Sequence, residues 1–240
     1  MRKFWVVVNS VLFALSAVTA AGSSRANANE IVERYMSATE RQQPLLRGIS
    51  MEVEIEAKLP KLKKQGHLHA LRNISKLGQI TYKAVTFLGD KTIKNDVIAR
   101  YLTAETHVTT GEAADIAISP RNYKFKYRGS MDGEGRRLYV FEVTPRKKRV
   151  GLFKGQLWLD AGTYLPVREA GRMVKNPSIF LKKVEFVRDY EIQDGVAYPR
   201  HIESMVETRL VGPAELSINY SHIAKEDTSA AMAASGADTQ

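Results

Sequence analysis

From Ile49 to Leu59 every second residue is apolar, and the positions between them are mostly charged. That period of two describes an antiparallel strand with one dry and one wet face. Tyr123, Phe125 and Tyr127 alternate with Lys124, Lys126 and Arg128 in the same way. Further strand-like runs lie at 66–75, 79–88, 138–144, 152–159, 167–174, 178–190, 196–210 and 214–222. Asp132-Gly133 and Asp194-Gly195 carry turn chemistry, the second as a tight hairpin between two long strands. The pattern predicts about ten sequential strands joined by short turns. A meander of that length must curl to bury its apolar face.

Two segments keep a helical period instead. Ile31, Val32, Tyr35, Met36 and Thr39 form one stripe, with Asn27 and Glu30 spaced as a capping pair and Pro44 as the stop. Between Asp90 and Pro120 no strand is convincing. There Ile93, Val97, Ile98, Tyr101 and Leu102 form a second stripe, with Asp90 or Thr92 available as its cap. Residues 110–117 read as a shorter helix or a loop. The fold class is therefore mainly β with helices: a curled, incompletely closed antiparallel barrel, with an N-terminal helix and a helical insertion over its concave face. Such a half-lidded sheet suits an apolar ligand.

The N-terminus precedes this pattern. Arg2 and Lys3, an apolar run from Val6 to Ala17, and Ala26-Asn27-Ala28 have the parts of a secretory signal peptide. Val18-Thr19-Ala20 is an earlier cleavage option. The apolar run is shorter than the roughly 20 residues of a spanning helix. The expected organisation is a signal peptide at 1–28, one domain at 29–224 and a disordered tail at 225–240, and the expected location is the periplasm. The chain has no cysteine, so disulfides, thiolate metal sites and a lipid-anchored cysteine are excluded.

The net charge is +10, and removal of residues 1–28 leaves +7. Such a surface suits anionic partners. Export argues against nucleic acid, and most cations sit on the polar beat of strands. The sharpest cluster is Arg146-Lys147-Lys148-Arg149, placed in a turn after Pro145, where it can meet an anionic membrane surface or stay solvated.

Catalytic signatures are missing. No G-x-S-x-G elbow, H-E-x-x-H or glycine-rich phosphate loop occurs. His67 and His69 point the same way on one strand and could join His107 around a metal, but Lys63, Lys64 and Arg72 oppose a cation. Asp132-Gly133-Glu134-Gly135 lacks the ligand spacing of a calcium loop. Glu52, Glu54 and Glu56 read as a solvated strand face. Neither metal nor cofactor is expected, and the protein is not expected to be an enzyme.

The apolar beat of each strand selects the residues that would line a cavity: Val53, Ile55, Phe87, Phe125, Tyr127, Phe141, Leu157, Val184 and Phe186. Ile93, Val97 and Tyr101 would form the inner side of a lid helix. A one-residue register error in any strand would exchange inside for outside.

Several phrases resemble one known family: Asn122-Tyr123-Lys124-Phe125-Lys126-Tyr127, Tyr139-Val140-Phe141-Glu142-Val143, Gly155-Gln156-Leu157-Trp158-Leu159-Asp160, Leu165-Pro166-Val167-Arg168 and Asp194-Gly195-Val196-Ala197-Tyr198-Pro199-Arg200. With the order of elements, they resemble bacterial periplasmic lipoprotein carriers of the LolA, LolB and RseB/MucB kind over residues 29–222. The resemblance implies an unclosed barrel with a helical lid and a cavity for acyl chains. Its implied function is a non-catalytic carrier or chaperone for acylated lipoprotein or lipid, acting as a monomer. An envelope sensor or protein-interaction module of the same fold is the second class, and an unrecognised hydrolase the third.

Overall fold

The computed structural model describes residues 17–106, 110–133, 135–209 and 212–225, with side chains from residue 27 onward. The signal run at 2–16, His107, Glu134 and the tail beyond 225 lie outside the described residues. Ten strands form one antiparallel sheet: β1 (Ile49–Leu59), β2 (Lys64–Ile74), β3 (Ile80–Gly89), β4 (Tyr123–Gly133), β5 (Arg136–Pro145), β6 (Phe153–Asp160), β7 (Pro166–Met173), β8 (Leu181–Gln193), β9 (Val196–Thr208) and β10 (Pro213–Lys225). Their order is β3-β2-β1-β10-β9-β8-β7-β6-β5-β4. Both chain-order meanders thus join through β1 and β10. β3 and β4 end the sheet without pairing to each other, so the barrel stays open.

The alternation read from sequence sets the register. Ile55 faces Leu68 on one side and Ile218 on the other. Leu157 faces Phe141 and Glu169. The apolar beats of neighbouring strands therefore share the inner face, and the charged beats share the outer face. At Gly155 and Gly171 the two backbones approach closely. A Cβ on Gly171 would lie 2.6 Å from the Lys154 carbonyl and 2.6 Å from the Phe153 ring. The missing side chains leave room for Phe153 and Phe186 to meet edge to face, with ring centroids 4.9 Å apart.

Helix α1 (Ala17–Gln42) runs through the Asn27–Glu30 pair instead of starting there. Glu30 pairs with Arg34 one turn on, at 2.7 Å, and does not serve a cap. A helix-compatible stretch of Ala and Ser upstream accounts for the difference, because nothing in it stops the helix. Pro44 does end it, within a 3-10 turn at Gln43–Leu46. The insertion begins with Asp90, whose Oδ1 accepts the Thr92 amide at 2.7 Å. It continues as a π-helical turn, Ile93–Ile98, and then α2 (Ala99–Thr106) and α3 (Thr110–Ile116). Asp132-Gly133 does not form the turn. Asp132 still pairs with Arg137 and Gly133 with Arg136. At Asp194-Gly195 both residues have positive φ, as a two-residue hairpin turn of the first primed type requires.

The core has two main apolar clusters on the inner face. α1 contributes Ile31, Val32 and Tyr35 to one, against Tyr123, Phe141, Leu157 and Phe186. The insertion contributes Ile93 and Ile98 to the other, against Ile55, Leu68 and Ile218. No described helix is long and apolar enough to cross a membrane.

Candidate functional site: an inner cleft between two helical covers

All nine residues chosen from the alternation lie on the inner face. Val53, Ile55, Phe141 and Leu157 are fully buried, and Phe186 nearly so. Phe125 and Tyr127 are half-buried and stack around Phe141, with centroids 6.1 Å and 5.2 Å away. Phe87 is half-buried beside the insertion, where the absence of a side chain at Gly66 admits both its ring and Ile93. Val184 is half-buried near the start of β8. The residues do not form one pocket: Val53, Ile55 and Phe87 lie with the insertion, and the α1 half holds most of the others. Ile93 is buried, while Val97 and Tyr101 pack at the rim of the same cluster.

Between the two covers the inner face is not sealed. Val184 pairs across to Val206, and Phe186 to Ser204 and onward to Leu216. Val184, Val206, Ser204 and Leu216 all keep partial exposure. Val206 and Leu216 pack against the insertion's cluster and Phe186 belongs to the α1 cluster, so the strip, called the inner cleft below, lies where the two clusters meet.

Charged residues follow the strip along the inner face, where Arg188 is paired across to Glu169 and Ile202. Arg188 Nη1 donates to Glu169 Oε2 at 3.1 Å, and the Tyr190 hydroxyl donates to Glu169 Oε1 at 2.9 Å. Glu169 is buried, whereas the Arg188 side chain remains 37% exposed. The tyrosine oxygens, Tyr190 foremost, and Glu169 outweigh burial and hold the Arg188 guanidinium above its ordinary pKa. Burial pushes the Tyr190 hydroxyl up as well.

A second polar group fastens the insertion. Arg72 Nη2 donates to Glu105 Oε1 at 2.6 Å and its Nε at 3.1 Å. The Tyr82 hydroxyl donates to the other Glu105 oxygen. Tyr101 meets Tyr220 hydroxyl to hydroxyl at 3.3 Å. Burial opposes the Arg72 charge, but Glu105 and the nearby tyrosines raise its pKa on balance. Burial and the Glu105 carboxylate raise the Tyr82 pKa.

These polar residues were not singled out from the sequence. The available signal was a charge on the apolar beat: Arg72 between Ala70 and Ile74, Glu169 between Val167 and Gly171, and Arg188 between Phe186 and Tyr190.

No protein-family model matches the sequence, and no curated protein does. Solved structures do overlay on it. One is a putative outer membrane lipoprotein-sorting protein domain from Vibrio parahaemolyticus, with 12% identity, a TM-score of 0.45, and coverage of 84% of this chain and 94% of that one. A DUF1329 family protein from Desulfovibrio piger has 12% identity and a TM-score of 0.44 over 85% of this chain and 98% of that one. A LolA superfamily protein from Nitrosomonas europaea has 15% identity and a TM-score of 0.38 over 83% and 94%. These are likenesses of fold, and what the cleft holds is argued from its own geometry.

The basic turn between β5 and β6 is exposed but partly tied down. Arg149 pairs with Asp115 of α3, and Arg146 Nε donates to the Pro120 carbonyl at 2.8 Å. His67 and His69 sit on the outer beat of β2, where His69 lies 3.8 Å from Glu52. Glu52 also meets His222 at 3.0 Å, and Glu56 meets Lys58 at 3.8 Å. Among the described residues no group of three or more metal-ligating side chains converges. A 360 Å³ groove is lined by outer-beat residues, Glu56, Glu203, Glu215, Val187 and Met205 among them, and also reaches Phe186, Ser204 and Leu216 of the strip.

Proposed function

We propose that the protein is a non-catalytic binder of acyl chains, a carrier or chaperone for an acylated lipoprotein or a lipid outside the cytoplasm. The observation that carries this reading is the strip of Val184, Val206 and Leu216, partly exposed on the inner face between the two buried clusters. An acyl chain placed there removes apolar surface from water at roughly 25 cal/mol per Å². It can extend under the insertion once the Arg72–Glu105 contact opens. Arg188, accessible further along the inner face, supplies a cation for an ester, phosphate or carboxylate head.

The proposal includes export by a signal peptide cleaved after Ala28, giving a mature N-terminus at Asn29 and a monomeric product. N-terminal sequencing of protein from the envelope fraction checks this; an intact N-terminus in the membrane pellet contradicts it. For the ligand, mass spectrometry of an organic extract of protein purified from its native envelope is expected to show a stoichiometric acylated species. A lipid-free extract from folded protein would count against the carrier role.

The open edge supports a second reading as an envelope protein-interaction module. Among the described residues no strand pairs with the outer side of β3, and Val85 and Leu88 are exposed along it. An unpaired edge of that kind can accept a strand from a partner.

A further inference from the structure

Antiparallel order brings five connections to the same end of the sheet: the insertion, which leaves after Gly89 and returns at Tyr123, and four short connections in an unbroken row. The four are 60–63 between β1 and β2, 209–212 between β9 and β10, 174–180 between β7 and β8, and 146–152 between β5 and β6. Their adjacency shows in direct contacts. Gly212 sits against the Lys61 side chain. The Arg209 amide donates to the Phe180 carbonyl at 2.9 Å, and its Nε to the Ile179 carbonyl at 2.8 Å. The Val174 amide donates to the Leu152 carbonyl at 3.0 Å.

Together the four connections contain eight Lys or Arg and no Asp or Glu. The connections at the opposite end, 75–79, 134–135, 161–165 and 194–195, contain one cation and two acids. The asymmetry is thus a property of the short connections at one end, beside an insertion whose five acids and four cations nearly balance. Asp115 offsets Arg149, while Lys61, Lys63, Lys147, Lys148 and Lys175 are exposed.

Large apolar side chains protrude from the same turns. Ile179 is 80% exposed, Phe180 52%, Leu62 42% and Val150 41%. Isolated exposed apolar residues are ordinary, but here each lies beside cations at a tip.

We infer that this end of the sheet is a docking surface for an anionic lipid bilayer, with Ile179 and Phe180 entering the headgroup region and the lysines resting on lipid phosphates. A soluble polyanion would satisfy the charges and leave the apolar tips in water. A bilayer serves both. Each cation near an anionic leaflet contributes about fivefold in affinity, and the two apolar tips together about tenfold or more. Val184 and the mouth of the cleft lie next to this end, so docking presents the cleft to the membrane. The inference does not depend on what the cleft holds.

The chain has no cysteine, so a single introduced one reports one position. Phe180→Cys and, at the far end, Leu77→Cys are each labelled with the same environment-sensitive fluorophore. They are titrated with phosphatidylcholine vesicles, with phosphatidylcholine–phosphatidylglycerol vesicles, and with soluble polyphosphate. The expected result is a blue shift at 180 with anionic vesicles only, and none at 77. Unlabelled Ile179→Ser/Phe180→Ser should sediment with anionic vesicles about tenfold more weakly than the parent. Lys61→Ser/Lys63→Ser/Lys147→Ser/Lys148→Ser should lose the preference for anionic over neutral vesicles. Equal signals at 180 and 77, or parent protein that binds polyphosphate but not anionic vesicles, would overturn the inference. Acyl-probe binding in vesicle-free solution is read separately and is unaffected by either result.

Discussion

Arg72 of β2 and Glu105 of α2 are joined by two hydrogen bonds, at 2.6 Å and 3.1 Å, across 33 residues of chain. Arg72 is almost wholly buried, with its side chain 8% exposed, and Glu105 is 21% exposed. The pair ties the sheet to the insertion near the end of α2. Removing one member leaves the other charged and poorly solvated, which costs more than the pair contributes. Arg72→Met should destabilise the domain by about 3 kcal/mol. Its first effect should be local, as faster amide exchange across 93–106 with little change in α1. Uniform loss of protection through the whole domain would show that the contact supports the fold and is not a fastening of the insertion.

The aromatic cluster under α1 should behave as packed core. Phe141 is fully buried and touches both Phe125 and Tyr127. Phe141→Ala should cost about 3–5 kcal/mol. Phe125, half-buried beneath Tyr35, should cost about 2 kcal/mol when truncated. Urea denaturation of the two variants orders them. The reverse order would mean that α1 leaves a void over Phe141.

Alkali should unfold the domain earlier than its charge balance suggests. Burial raises the Tyr35, Tyr82, Tyr101 and Tyr190 hydroxyls well above the ordinary phenol value, and Tyr123 to about 12. In the unfolded chain each titrates near about pH 10. Below that pH both states hold the proton, and these groups give no pH dependence. Above it the unfolded state releases protons first, so stability falls as pH rises toward the folded values. The slope is at most about 1.4 kcal/mol per pH unit for each such tyrosine. Urea midpoints between about pH 8 and about pH 11 should drop together with the appearance of tyrosinate absorbance. Ionisation of all ten tyrosines before any change in the midpoint would contradict the burial of these hydroxyls.

Much of this fold is written in the period of the sequence. Ile49 to Leu59 alternates so regularly that both face and register follow, and the same holds for 123–128. The strands therefore place their apolar beats on one side, and all nine selected residues face inward. Local turn chemistry was legible where both turn residues must adopt positive φ, as at Asp194-Gly195. It misled at Asp132-Gly133, where both residues remain paired in the ladder.

The polar interior was harder to read for a physical reason. Arg72, Glu169 and Arg188 violate the alternation individually, and only the strand order brings Glu169 beside Arg188 and the insertion over Arg72. A charge on a buried beat needs a partner, but the sequence does not say which distant residue supplies it. The cationic row at one sheet end was hidden in the same way. Arg146 to Arg149 stand out as a run, whereas Lys61, Lys63, Lys175 and Arg209 join them only through antiparallel pairing.

The most direct measurement is titration of a fluorescent fatty-acyl probe into the parent protein and into Val184→Gln/Val206→Gln. Both positions are partly exposed, so polar replacement should leave the urea midpoint almost unchanged. The parent should take up the probe saturably, with displacement by unlabelled fatty acid, and the variant should bind it about tenfold more weakly. Folded parent protein without saturable uptake, or equal uptake by parent and variant, would contradict acyl-chain binding in the inner cleft.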